Sequence, residues 1–188
     1  FTSPINFVHT RTIVDPNFGG KVTGKVGRTT LGFLVADDAA AGKRDDPSDP
    51  ALGENAKVTI GRARYDLYSE SHIGATFTDR EFLDSYSRVA VLDGQFRLGR
   101  ATRLNFIAAQ SQHRDEAGNE RDGPALGAFL GHNGRNFTAS TFFGRTDPDF
   151  RTDVGFVRRV DQQRNFTNIG YRWWPEHWII NWGPTANY

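Results

Sequence analysis

Cysteine and methionine are both absent from the 188 residues of this chain. The lack of cysteine excludes a disulfide framework and thiol chemistry. The lack of methionine extends to the initiator, and the chain opens at Phe1 within an alternating pattern, with neither a basic start nor an apolar signal core. We therefore expect a mature piece, or a fragment of a longer polypeptide.

Long hydrophobic runs and a sustained helical period are also missing. The mean hydropathy is −0.56, and no apolar run approaches the ~20 residues that a spanning helix requires. This excludes a helical membrane protein. It leaves a β-barrel open, because a barrel strand needs an apolar side chain only at every second position.

Charge is nearly balanced, and motifs for cofactors or catalysis are missing. The net charge is +1, so no overall positive field is expected to attract nucleic acid. No HExxH, GxSxG, P-loop or GxGxxG pattern occurs, and we predict no catalytic residue, cofactor or metal. Arginine, with 19 residues against 4 lysines, suits ordered ion pairs inside a lumen, although a GC-rich genome explains the excess equally well.

Alternation of apolar and polar residues is the main signal of fold class. In Thr29–Ala36, Leu31 and Phe33 fall on one side of a strand, and Thr30 and Gly32 fall on the other. About twelve such segments occur, several of them near the ~9–11 residues of a tilted spanning strand. The predicted strands are Ile5–Val14, Gly20–Val26, Thr29–Ala36, Lys57–Leu67, His72–Asp79, Tyr86–Leu98, Thr102–Gln112, Pro124–His132, Asn136–Arg145, Arg151–Arg158, Arg164–Trp174 and His177–Gly183.

Tight turns alternate with longer polar loops between these segments. The tight connections are Gly27-Arg28, Tyr68–Ser71, Gly99–Ala101 and Asn133–Arg135, and the longer ones are Asp37–Ala56, Arg80–Ser85, His113–Gly123 and Thr146–Phe150. A meander with its short turns at one end and its long loops at the other is typical of an outer-membrane β-barrel.

Acidic residues cluster in two of the long loops. The longest loop, Asp37–Ala56, is rich in Asp and Pro and is expected to be mobile, solvated and extracellular. Carboxylates in both loops offer oxygen ligands for Ca²⁺, but without the spacing of an EF-hand, so solvated loops are the expectation. The residues concerned are Asp45, Asp46, Asp49, Asp115, Glu116, Glu120 and Asp122.

Four segments carry a family resemblance: GGKVTGKVGRTTLGFL from Gly19, SHIGATFTDR from Ser71, SRVAVLDGQFRLG from Ser87 and PDFRTDVGFVRR from Pro148. They resemble an uncharacterised outer-membrane β-barrel domain, a domain of unknown function. That domain usually follows a module similar to family 9 carbohydrate-binding domains. The resemblance runs from about Phe18 to Trp174. It implies an interior portion of a longer barrel and a loose association with glycans, and it carries over no catalytic residues.

Charged residues on the alternating segments are candidates for the lining of a lumen. One interpretation is a charged constriction that selects solutes. The other is a set of cross-strand ion pairs that fill the interior, which we favour because both signs occur together. The predicted lumen charges are Arg62, Arg64, Asp66, Arg88, Asp93, Arg97, Arg151 and Asp153.

Aromatic residues concentrate near the end of the chain. They fit an interfacial girdle, in which indole and phenol rings lie at the lipid headgroups. Exposed indoles could instead stack on sugar rings, but the girdle is the preferred interpretation. The residues are Tyr171, Trp173, Trp174, Trp178 and Trp182.

The sequence thus predicts an all-β, antiparallel, up-and-down transmembrane β-barrel of about twelve strands, or a portion of a larger one, spanning residues 1–188 as one domain. The expected location is the outer membrane of a Gram-negative bacterium, with membrane lipid as partner, carbohydrate as a further partner through a missing module, and a pore, export or anchoring role. The alternative is a soluble β-sandwich that binds carbohydrate through its Trp cluster. A third hypothesis, an all-β hydrolase using Asp93 and Asp153, rests only on the presence of carboxylates.

Overall fold

The computed structural model describes residues 7–188, and these fold into one antiparallel sheet in which each strand pairs with the next in sequence. The strands are β1 (Pro16–Val26), β2 (Thr29–Asp38), β3 (Ala56–Asp66), β4 (His72–Phe82), β5 (Ser85–Leu98), β6 (Thr102–Arg114), β7 (Glu120–Asn133), β8 (Phe137–Thr146), β9 (Gln162–Tyr171) and β10 (Thr185–Asn187). Two short 3₁₀ helices, Thr10–Thr12 and Ala39–Gly42, complete the elements. The predicted all-β, up-and-down antiparallel architecture is confirmed for these residues.

The sheet is open. Strands β1 and β10 lie at its two edges, and β10 covers only three residues of β9. All eleven residues of β1 are exposed. The described residues contain ten strands joined in one layer, where about twelve were predicted.

Regular register separates the side chains into two faces. The pairs Ile60↔Thr78, Thr78↔Val89 and Val89↔Ser111 place four buried residues side by side across β3 to β6. We call the face that carries them the inner face. The other, outer face carries the alternate residues of each strand, since successive side chains of a strand point to opposite sides.

Three predicted strands are wrong. Ile5 and Asn6 lie outside the described residues, and within residues 7–14 the regular element is the 3₁₀ helix Thr10–Thr12, in which the Thr12 amide donates to the His9 carbonyl. In Arg151–Arg158 the chain leaves the sheet to pack against the inner face. In His177–Gly183 the one residue in a bridge is Trp182, which pairs with Trp173, while β10 was not predicted.

The connections alternate only in part. At the turn end of the sheet, the connections 27–28, 67–71, 99–101 and 134–136 are short, as predicted, and only 172–184 is long. At the loop end, 39–55 and 147–161 are long, but two connections that were predicted to be longer are short. The loop predicted from Arg80 to Ser85 is the two-residue turn 83–84, and the loop predicted from His113 to Gly123 is the five-residue connection 115–119, no longer than 67–71. Strand β4 continues to Phe82 because this ring is buried against Ala51 and Ala56.

The buried core occupies the loop end of the inner face. Its largest cluster joins Val89, Val91, Ala109 and Ala125 on the strands to Phe7 and Phe150 from outside the sheet. A second cluster joins three residues of β2 and β3 to Val154. At the loop end, the apolar residues of the inner face in these two clusters are therefore covered by the chain itself. Phe166 of β9, which register also places on the inner face, is 47 % exposed.

Candidate functional site

The outer face carries an uncharged, largely apolar band that the described residues leave bare. Leu31 and Phe33 on β2 are each 51 % exposed, and similar side chains continue across the sheet to β9. Contiguous exposed apolar surface of this extent marks a membrane or protein contact in a folded protein. The band includes Val22, Leu31, Phe33, Ile73, Phe77, Leu92, Leu98, Leu126, Leu130, Phe137, Phe143 and Ile169, all exposed.

Charged residues border this band at the loop end. The Arg88 guanidinium lies 3.3 Å from the Asp79 carboxylate and 2.6 Å from that of Glu81, and it stacks on the ring of Tyr86 at 4.6 Å. Register pairs Arg88 with Asp79, and both lie on the outer face. Asp93 and Arg97 lie five and nine positions further along the same strand, and an odd separation places two side chains on opposite faces. The prediction that Arg88 shares the lumen face with Asp93 and Arg97 is therefore wrong.

The turn end of the inner face carries the predicted ion pairs. Arg62 binds Asp93 through two parallel hydrogen bonds of 2.8 and 2.9 Å, and it also donates to the Thr76 hydroxyl at 2.5 Å. Asp66 accepts from Lys25 at 2.6 Å and from Arg64 at 3.0 Å. The Arg62–Asp93 pair joins β3 to β5 across the intervening strand β4, and the Lys25–Asp66 pair joins β1 to β3 across β2. Arg64 and Asp66 lie two residues apart on the same strand.

The Arg62–Asp93 pair fits because residue 74 between the two strands is glycine. A Cβ at position 74 would lie 3.1 Å from Arg62 Nη2 and from both carboxylate oxygens of Asp93. Such a contact is tighter than ordinary van der Waals distance, so a larger residue would displace the pair. Gly74 thus has a packing role that alternation alone does not reveal.

Arg97 lies nearer the turns, beside a second inner-face arginine, Arg103. One carboxylate oxygen of Glu70 lies 3.0 Å from Arg97 and 3.5 Å from Arg103. The turn that carries Glu70 is itself held against β5, because Gln95 donates to the Glu70 carbonyl and the Arg97 amide donates to the Ser71 hydroxyl. Sequence analysis did not identify Arg103 or Glu70, which lie outside the quoted motifs.

Residues 147–160 of the β8–β9 connection, which we call the plug segment, cover the loop end of the inner face. Phe150 is fully buried, with its ring 6.3 Å from that of Phe7 in an edge-to-face arrangement. The backbone amides of Arg151 and Asp153 donate to the hydroxyls of Ser111 and Ser87, at 3.1 and 3.0 Å. Side-chain hydroxyls of the sheet thus replace the strand partners that these amides would otherwise need.

Arg151 and Asp153 therefore lie on the inner side, but on the plug segment and not on a strand. The Arg151 guanidinium donates to the carbonyls of Pro148 and Phe150, both at 2.8 Å. The Asp153 carboxylate lies 3.7 Å from Arg80 and 3.5 Å from His113. Sequence analysis used Arg80 and His113 only as loop boundaries and did not predict that either contacts Asp153.

Asp93 and Asp153 lie apart. Asp153 is anchored at Ser87, six residues along β5 from Asp93, which corresponds to roughly 20 Å of strand. Paired glycosidase carboxylates lie ~5–9.5 Å apart. This separation argues against the two aspartates as a catalytic pair.

The acidic loops are tied by internal bonds. Arg44 binds Glu116 of the other loop at 2.7 Å and stacks over Phe82. The sequence predicted that the longest loop is solvated, but Ala51 is buried beside Ala56, so part of the 39–55 connection is packed against the sheet. No group of three or more potential metal ligands occurs within residues 7–188.

Two loop carboxylates have pKa values below the ordinary 3.8 because amides and a hydroxyl stabilise their charged forms. The pKa of Asp46 is lowered by the backbone amide and then the hydroxyl of Ser48. The pKa of Asp115 is lowered mainly by hydrogen bonds from the side chain and backbone of Asn119, with a smaller contribution from Ala117. These contacts shape local turns.

The aromatic residues form one stack and several separate contacts. Trp173 and Trp182 stack at 4.6 Å, and the ring of Tyr171 lies 4.7 Å from Trp173. Register places Tyr171 on the outer face at the turn end of β9, beside Phe137. Trp174 instead donates to the Arg135 carbonyl at 3.0 Å, and Trp178 is 90 % exposed.

Comparison with known proteins gives no relative for this chain. No family model, no curated protein and no solved structure matches it. Within residues 7–188, no helix has the length and apolar character needed to cross a membrane.

Proposed function

We propose that this chain forms the wall of an outer-membrane β-barrel in a Gram-negative bacterium, with lipid against its outer face. One observation carries the proposal: a bare apolar band covers the outer face while the turn end of the opposite face holds ion pairs. A barrel in lipid requires this distribution, because the outside contacts hydrocarbon and the interior is polar. The resemblance to the uncharacterised outer-membrane barrel domain supports the same assignment.

The height of the band supports a membrane contact. Along β5 the outer residues from Ala90 to Leu98 are uncharged, a length of about 26 Å at ~3.3 Å per residue. Strands tilted by ~40° reduce this to about 20 Å, close to the ~25 Å band of known barrels. Arg88 and Asp79 lie directly above it, where the proposed band meets water.

A closed wall requires partners for both sheet edges. In lipid, unpaired backbone groups at an open edge cost several kcal/mol each. We propose that β1 and the β9–β10 edge pair with each other or with strands of a longer polypeptide. The second possibility agrees with the longer barrel that the resemblance implies.

The plug segment favours a narrow or closed passage over a wide open pore. It fills the inner face at the loop end with Phe150 and Val154, both buried. We therefore propose an anchoring, export or gated transport role associated with glycans, with no catalytic step. The stack of Tyr171, Trp173 and Trp182 on the outer face at the turn end is proposed as part of an interfacial girdle.

A soluble carbohydrate-binding module remains the alternative, because Trp178 and Trp182 are exposed. Expression of the full polypeptide in a Gram-negative host separates the two proposals. The barrel proposal expects recovery with outer membranes, resistance to carbonate extraction, and faster gel migration before boiling than after. A soluble protein with unchanged mobility, whose Trp fluorescence responds to an oligosaccharide, supports the alternative and contradicts the barrel.

A further inference from the structure

An open cavity of about 470 Å³ lies at the turn end of the sheet, between β5 and β9. It is distinct from the plugged loop end and from the Arg62–Asp93 pair. Most of the residues that line it belong to the inner face. The lining includes Arg97, Arg100, Arg103, Phe129, Asn133 and Ser140.

Positive charge dominates this cavity. Three arginines line it, and the carboxylate that contacts two of them is Glu70, from the neighbouring turn. A guanidinium has five N–H donors. The Glu70 oxygen that Arg97 and Arg103 share therefore accepts from only a minority of the donors of these two arginines. Glu70 also demonstrates that a single carboxylate can contact both arginines at once.

The rest of the cavity suits a polar, uncharged ring. Phe129 provides an apolar wall, and its ring lies over Gly131, where a Cβ would come within 2.8 Å of it. Ser140 and Asn133 add a hydroxyl and an amide.

We propose that this cavity binds an acidic sugar, with its oxyanion between Arg97 and Arg103 and its hydroxylated ring against Phe129, Ser140 and Asn133. Arginine forks recognise carboxylate and phosphate through paired hydrogen bonds, and an aromatic face beside polar groups is a common arrangement in ligand sites. The inference rests on the proposed barrel function in one respect, since in a barrel the cavity opens into the lumen.

The test is an NMR titration of the folded protein in detergent with four probes: glucuronate, glucose 6-phosphate, glucose and acetate. At least one acidic sugar is expected to bind about tenfold more tightly than glucose and than acetate, and the two acids distinguish a carboxylate from a phosphate ligand. Binding should weaken as salt increases, because the contributing charges are partly exposed. Equal binding of all four probes, or no binding, overturns the proposal.

Two variants with opposite expected effects sharpen the test. R103Q should weaken binding of the acidic sugar about three- to tenfold, whereas E70Q should strengthen it about two- to fivefold because a competing carboxylate is removed. The matched control R121Q removes an exposed arginine ten residues along β7 from Gly131 and should change nothing. Unchanged binding of the acidic sugar in both R103Q and E70Q overturns the site, and so does weaker binding in E70Q. Because the two expected effects have opposite signs, a general loss of folding cannot produce both.

Failure of the site and failure of the barrel give different results. The titration needs no membrane, so a protein that inserts into membranes but ignores acidic sugars contradicts this site alone. A protein that binds glucuronate yet stays soluble supports the site and contradicts the barrel.

Discussion

Replacement of Phe150 by alanine tests whether the plug segment is held by its own packing. Phe150 is fully buried among Phe7, Val89, Val91 and Ala125. Truncation of a buried Phe costs ~3–5 kcal/mol, because transfer energy is lost and a cavity remains. Lost edge-to-face contact with Phe7 is part of this cost. We expect the free energy of unfolding to fall by about 3–4 kcal/mol.

Phe156 is the matched control, since it lies in the same segment but is 55 % exposed. Its replacement by alanine should change the free energy of unfolding by no more than ~0.5 kcal/mol. Urea unfolding of both variants in the same detergent, followed by Trp fluorescence, measures the difference. If F150A and F156A unfold within ~1 kcal/mol of each other, the assignment of the plug segment to the sheet interior is refuted.

Three further predictions concern the plug segment, a loop and the orientation of the sheet. G123A should displace the plug segment and lower the free energy of unfolding, because the added Cβ would lie 2.5 Å from the Phe150 amide nitrogen. In the control G24A the added Cβ would have no atom within 4 Å, so the free energy of unfolding should change by ~1 kcal/mol or less. Equal unfolding midpoints of the two variants would contradict the Gly123–Phe150 contact. Protease added to intact cells should cut within residues 45–48, which are exposed, before it cuts 99–101; equal protection would argue against the sidedness. The pKa of Asp115 should lie below its ordinary 3.8, because Asn119 and Ala117 donate hydrogen bonds to the charged carboxylate. The contribution of these bonds to the stability of the fold is then present above pH 3.8 and is lost as the pH falls through the lower pKa of the folded state. An NMR-measured pKa at or above 3.8 would disprove this prediction.

Strands that alternate over ten or more residues were predictable from sequence. In β2 to β9 the predicted spans and the observed strands overlap, because one face of each strand differs in polarity from the other. Strand ends were less certain: β4 continues past Asp79 to bury Phe82, a contact with residues of a distant loop. Local sequence does not reveal such a partner.

The plug segment could not be distinguished from a strand by its pattern. Residues 151–158 alternate as a strand would, yet the amides of Arg151 and Asp153 bond to serine hydroxyls of β6 and β5. The stretch Asp147-Pro-Asp-Phe-Arg was the available signal, since a proline and an aspartate whose carboxylate accepts from the amide two residues on, here Asp149, interrupt a strand.

Candidate site residues were predicted in part. Arg62, Asp66 and Asp93 form the expected cross-strand pairs, but Arg88 lies on the other face because a strand reverses sides at each residue. The cavity at Arg97 and Arg103 was missed. The residues that line it come from five strands and a turn, which no single stretch of sequence brings together.

The proposal that the outer face contacts lipid is tested most directly by four adjacent positions on β3. Arg62 and Arg64 lie on the inner face, Ala63 and Tyr65 on the outer face, and all four are exposed. Because the chain has no cysteine, the variants R62C, A63C, R64C and Y65C can each carry one nitroxide label. In reconstituted membranes we expect labels at 63 and 65 to collide with lipid-soluble oxygen, and labels at 62 and 64 with an aqueous nickel chelate. Equal access of the nickel chelate to all four positions would contradict the account.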